Sequence, residues 1–248
     1  MEVQTQLNEN DVYKGLPMCK KIKVLTFKLC ALCGENFTIP LMLAASTISK
    51  LYLLLFSTFW LLFISSFIGT EYVASADQAK IIYSNMMLVS VVLGVLGSPL
   101  MGYVVDNYNP KCVIPLAFGI RAAGVGLFMQ IKDPSSIYAY AVGVLLVMGT
   151  VFEGLVADCL LLRLADERTR GILYGAGHAF GSIGTLVFSL VGGILYDRHG
   201  PYMPFIFVGV LDLGFAILAA LLACCNVVKN DIAERKLTVL AKERLMIN

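Results

Sequence analysis

Six long apolar runs constrain this chain more than any other feature of its sequence: 51–69, 83–105, 113–131, 137–162, 172–196 and 204–225. Each is close to or above the roughly 20 residues that a helix rising 1.5 Å per residue needs to cross a bilayer. In lipid the backbone N–H and C=O groups must be satisfied within their own segment, and the runs are about twice the length of a membrane-barrel strand, so they read as helices. Only 15% of residues are charged, 58% are hydrophobic and the mean hydropathy is +0.79, a balance that no soluble domain of this size keeps. The fold class is therefore an all-α membrane protein. Its expected parts are a cytosolic leader with an interfacial segment at 1–50, a six-helix transmembrane bundle at 51–225 and a cytosolic tail at 226–248.

Charge placement orients the bundle. An even number of spans returns the C-terminus to the starting side, and with the N-terminus inside, fifteen Lys and Arg fall on that side against three (Lys80, Lys132 and Arg198) on the other. Basic residues are retained on the cytosolic side, so both termini are expected there. Residues 36–49 are apolar but too short to span, and they read as an interfacial lead-in ending at Lys50, with the sequon Asn36-Phe37-Thr38 facing the cytosol. The tail, which mixes Glu234, Arg235, Lys236, Lys242 and Arg244 with Leu237, Leu240 and Leu245, reads as a surface amphipathic helix.

Two helix endings share one frame. Gly102-x-x-x-Asp106 closes the second span before Asn109-Pro110-Lys111, and Gly193-x-x-x-Asp197 closes the fifth before Arg198, Gly200 and Pro201; both fit G-x-x-x-D-x-x-x-P. With alternating helices the two endings fall on opposite membrane faces, each closing the second helix of a group of three. Spans one to three and four to six thus read as inverted three-helix repeats, the build of one transporter half.

The stretch GYVVDNYNPK resembles the loop motif G-x-x-x-D-[RK]-x-G-[RK]-[RK] of the major facilitator superfamily, matching at Gly102, Asp106 and Lys111 and departing at Asn107 and Asn109. The segment ADERTRGILYGAGHAFGSIGTLVFSLVGGILYDRHGPYMPF, with its Glu167-Arg168 to Arg170-Gly171 entry, is similar to that family's fifth or eleventh helix. The resemblance covers about 50–225 and implies half of a major-facilitator fold, more like the C-terminal half given the basic leader. It implies secondary active transport of a small solute by alternating access, and a second half supplied by another copy, another subunit or a region beyond this sequence. In the family the loop-motif aspartate packs against the other half and holds one face shut; Asp106 is expected to lack that partner here.

Charges inside a bilayer cost about 2.5–3.5 kcal/mol each on insertion scales, so four of them need a reason. Arg121 in the third span and Asp212 in the sixth share a depth and read as a structural ion pair. Glu153 in the fourth span has two readings: a cavity carboxylate coupling transport to protons, or a partner of Arg121. Asp158 lies five residues on, nearer Arg163, and reads as a surface-proximal salt bridge; His178 is a packing histidine or a proton relay. Gly94, Gly97 and Gly102, and Gly177, Gly181 and Gly184, line the second and fifth spans, as an interface with the other half or as close packing within this one.

Other functions are disfavoured by what the sequence contains. Walker, H-E-x-x-H and G-x-S-x-G motifs are missing, Gly175-Ala-Gly177 sits in an apolar helix with no strand before it, and two histidines are few for metal chemistry, so neither an enzyme nor a cofactor is expected. A net charge of +2 gives nucleic acid no electrostatic purchase. The expected partners are the bilayer, a second six-helix half, a small solute and protons. A non-transporting membrane subunit or scaffold of a larger complex is the alternative.

Overall fold

The computed structural model describes residues 17–35, 37–165 and 169–225. Helix α1 (Met18–Glu35) precedes six helices long and apolar enough to cross a membrane: α2 (Thr38–Ser65), α3 (Ala76–Asn107), α4 (Pro110–Phe128), α5 (Ile137–Leu164), α6 (Arg170–His199) and α7 (Met203–Cys224). The sequon Asn36, the Glu167-Arg168 pair and the amphipathic tail lie outside the described residues.

The first span begins earlier than the sequence reading placed it. Residues 36–49, read as interfacial, supply most of the first half of α2, which runs unbroken from Thr38. The reading stopped at Lys50 because a charge was taken to mark a membrane boundary. Lys50 instead sits about 18 Å along a helix of about 42 Å, close to its middle.

Side-chain caps set three of the other helix starts. Ser75 Oγ accepts from the Gln78 N–H at 3.3 Å to open α3, Asn109 Oδ1 accepts from the Lys111 N–H at 3.0 Å to open α4, and Ser136 Oγ accepts from the Ala139 N–H at 3.2 Å to open α5. Pro110 occupies the first turn of α4, where its missing N–H costs nothing. Helix α6 ends on Gly200 at φ +96°, a left-handed conformation open to glycine with little strain, and Pro201 follows.

Small residues decide which helices touch. Helix α6 packs on α2 and α3 packs on α5, while α4 lies between α5 and α7. A Cβ added at Gly184 would lie 2.5 Å from Thr47 Cγ2, one at Gly181 2.6 Å from Lys50 Cγ, and one at Gly177 3.1 Å from Leu161 Cδ2. On α3, a Cβ at Gly97 would lie 2.7 Å from Met148 Cε and one at Gly94 3.3 Å from Val147 Cγ1. These glycines therefore face helices of the same bundle, the second of the two readings the sequence left open. Gly102 and Gly193 have no such neighbour within 4 Å.

Two apolar clusters stack along the bundle. Trp60, Phe63, Phe128 and Phe205 fill one end, and Met42, Ile114, Phe118 and Leu161 the other. Helices α3 and α6 are the least buried spans, and their outer faces are largely apolar, with Leu88, Leu96 and Leu100 on one and Ile183, Leu186 and Leu190 on the other, beside the exposed Ser84, Asn85, Ser182 and Ser189.

Candidate functional site

Arg121 of α4, Glu153 of α5 and Asp212 of α7 are all fully buried, at 0% exposure. Arg121 Nε donates to Asp212 Oδ2 at 2.9 Å and Nη2 to Asp212 Oδ1, a two-pronged grip, while Nη1 forms an ion pair with Glu153 Oε2. The Tyr52 ring of α2 lies against the guanidinium, 3.8 Å from Cζ to the centroid, with the Phe118 ring at 5.8 Å. Four helices thus converge on one cation. Gly149, one turn before Glu153 on α5, permits the approach, since a Cβ there would meet Arg121 Cβ at 3.2 Å.

Arg121 and Asp212 thus meet, and Glu153 faces the same guanidinium inside the packed core rather than a cavity. Asp158 is half-buried, and among the described residues no ion pair includes it. Arg163, its expected neighbour, reaches Asp106 instead: Nη2 contacts Asp106 Oδ1 and Nη1 donates to the Val105 carbonyl at 3.0 Å. Asp106, expected to lack the partner that another half would supply, thus has a contact inside the bundle that the sequence reading did not foresee. The sequence reading had sought the partner in another half and overlooked that α3 and α5 end on the same face. Lys111 lies in the first turn of α4, beside that contact in sequence.

The remaining positions lie apart. His178 is half-buried on α6, its ring edge-on to Tyr174 at 4.5 Å between centroids. Asp197 and Arg198 are exposed in the last turn of α6, where the cation suits the helix dipole. Gly193, Gly200 and Pro201 shape that turn.

Helix α2 has a second, different side. Thr47 and Lys50 are half-buried there, and Leu53, Ser57 and Thr58 are exposed, Leu53 to 72%. The Lys50 stem packs over Gly181, and no ion pair joins Lys50 to any described residue. Above it the helix widens into a π turn at Leu55–Phe59, and the Tyr83 hydroxyl of α3 donates to the Phe56 carbonyl at 3.1 Å. A cleft of about 300 Å³ opens at this turn, lined by Leu53, Phe56, Ser57, Tyr83, Met87 and Thr150. A larger apolar groove of about 490 Å³ lies between α1, α2 and α6, lined by Leu29, Cys33, Leu43, Thr47 and Phe180.

Sequence reasoning missed Lys50, Tyr52, Gly149 and the partner of Asp106. Two had a signal: Gly149 and Glu153 stand one helical turn apart, and the apolar run around Lys50 continues unbroken on both sides.

Six helices long and apolar enough to cross a membrane, packed around a sealed ionic core, define a polytopic membrane protein. The profile of the Major Facilitator Superfamily matches residues 47–237, and the chain belongs to that family. It is 25% identical over 159 residues to the magnetosome protein MamH of Paramagnetospirillum magneticum, covering 64% of this chain and 36% of that protein. It is also similar to the vesicular acetylcholine transporters of Rattus norvegicus (25% identity, 62% of this chain and 28% of that protein) and Homo sapiens (26% identity, 60% and 27%). The matches thus span roughly a third of the length of these relatives.

Proposed function

We propose that this six-helix bundle is one half of a secondary transporter, moving a small solute by alternating access between itself and a second six-helix half. The observation that carries the proposal is the free side of α2. A helix face turned to lipid is expected to be apolar and uncharged, whereas this one carries the charged Lys50, with Ser57 one face-repeat further on at the cleft. Polar groups at that depth belong against water or a solute. Covering this flank with a second half would enclose a path near the midplane, with α2, α3, α5 and α6 around it and α4 and α7 behind.

In this reading the termini are cytosolic, as the charge count favours, and the two three-helix groups are inverted repeats. The packing is consistent with that: exchanging the groups maps the α2–α6 contact onto the α5–α3 contact. Asp106 and Arg163 then tie the cytosolic ends of α3 and α5. For proton coupling, His178 is the titratable group nearer the flank, while Glu153 would act only if the core opened. The cargo in the vesicular relatives' name is not carried over.

The Asp106–Arg163 contact favours a second reading, because it leaves the half satisfied without another half: a non-transporting subunit or scaffold. The mass of the protein in nanodiscs, with identification of any co-purifying chain, tests the two. A homodimer or a complex with another six-helix chain supports transport. A stable monomer overturns it in favour of the subunit reading.

A further inference from the structure

We propose that Lys50 makes the flank of α2 an anion site, so that the solute's carboxylate, sulfonate or phosphate group rests against its ammonium in the enclosed path. The inference rests on the transport reading above and deepens it.

Inside the spans, Arg121 and the two acids Glu153 and Asp212 form the buried cluster, Asp158 lies in the last two turns of α5, and Lys50 stands apart. The two acids are both engaged by Arg121 on the far side of α2, where Tyr52 marks the direction of the core. Lys50 is two residues from Tyr52, about 200° round the helix, and so points away from that cluster. A cation near the centre of a bilayer is costly, and a lysine kept there serves a partner or a water-filled path. Within the described residues it has no acidic partner. Its stem is nonetheless held in place, because Gly181 leaves room for Cβ, Cγ and Cδ along α6. A lysine meant to escape to the interface would be free to extend, whereas this one is seated in a glycine notch. The neighbouring hydroxyls along the flank, Thr47 and Ser57, donate to the Leu43 and Leu54 carbonyls of their own helix and bring no negative charge that would compete with an incoming anion. The same cation disfavours a positively charged cargo.

The test uses Leu53→Cys, an exposed position one helical turn from Lys50, in the full chain reconstituted in proteoliposomes. It is probed with two water-soluble methanethiosulfonates, one bearing a sulfonate and one a trimethylammonium group. The peptide carrying residue 53 is followed by mass spectrometry, so that native cysteines do not interfere. With Lys50 about 6 Å away, the sulfonate reagent should gain about tenfold over the cationic one relative to a free thiol in water. Lys50→Gln should remove that preference, and Lys50→Arg should keep it. Reaction with both reagents at the free-thiol ratio overturns the anion site while leaving the water-filled path standing; that is the result expected if a carboxylate of the covering half already neutralises Lys50. Reaction with neither reagent overturns the path and the anion site together.

Discussion

Replacing Arg121 with Met tests the reading of the core most directly. The side chain is fully buried, grips Asp212 with two nitrogens, meets Glu153 with a third and lies against the Tyr52 ring. Methionine fills much of the same space but abandons two buried carboxylates. Breaking a buried pair by removing one partner costs about 3–5 kcal/mol, most of it the penalty on the charge left behind. For a chain of this size that corresponds to a fall of about 10 °C in the unfolding midpoint. Trp60 reports the transition, since it is the chain's one tryptophan, 1% exposed among Phe56, Phe128 and Phe205. Asp212→Asn should cost more than Glu153→Gln, because Asp212 holds two contacts and Glu153 one. The decisive comparison is the triple variant Arg121→Met, Glu153→Met, Asp212→Val, in which no charge remains to be stranded. Its midpoint should recover most of the loss. If the triple variant is as unstable as Arg121→Met alone, the penalty did not come from abandoned carboxylates and the argument fails.

Gly184→Ala should destabilise the α2–α6 seam by about 1–3 kcal/mol and Gly181→Ala by less, because the first meets the branched Thr47 and the second the flexible Lys50 stem; paired thermal unfolding measures the difference. Asp106→Asn should change stability by under about 1 kcal/mol, since the carboxylate is 67% exposed. Tyr83→Phe frees the Phe56 carbonyl at the π turn and should cost about 0.6 kcal/mol, read in the same assay. Burial, and then the neighbouring Cys30, push the Cys33 thiol up, so near neutral pH Cys30 should be alkylated by N-ethylmaleimide before Cys33, with the gap narrowing as pH rises. Peptide mass spectrometry after timed labelling decides that order.

Much of the architecture was legible because lipid removes choices. Once a run must satisfy its own hydrogen bonds over the thickness of a bilayer, periodicity and propensity hardly matter, and the number of spans follows from length alone. The turns were legible for a related reason, since Asn109-Pro110 and Gly200-Pro201 permit few backbone paths. The first span was misplaced because its one charge was treated as a stop. That rule holds for a charge facing lipid, but Lys50 faces a glycine notch on α6, a contact 131 residues away in sequence that nothing local announces. Tyr52 was invisible for the same reason: an aromatic in a membrane run reads as packing until the guanidinium beneath it is known.

The two sides of α2 explain why one helix carries both a sealed and an open set of polar groups. Tyr52 faces a cluster whose partners come from three other helices, so moving any one helix there would uncover a buried charge. That opposes deformation within the bundle and favours its moving as a body. Lys50, Ser57 and the cleft lie on the opposite side, where contacts are made through glycines and a π turn rather than through charges locked to fixed partners. Adjustment is cheapest on that side. If the bundle is the transporter half proposed above, it needs both properties on the helix between its core and its path, and the two-residue offset between Lys50 and Tyr52 would put them there, because a step of about 200° separates opposite faces of one helix.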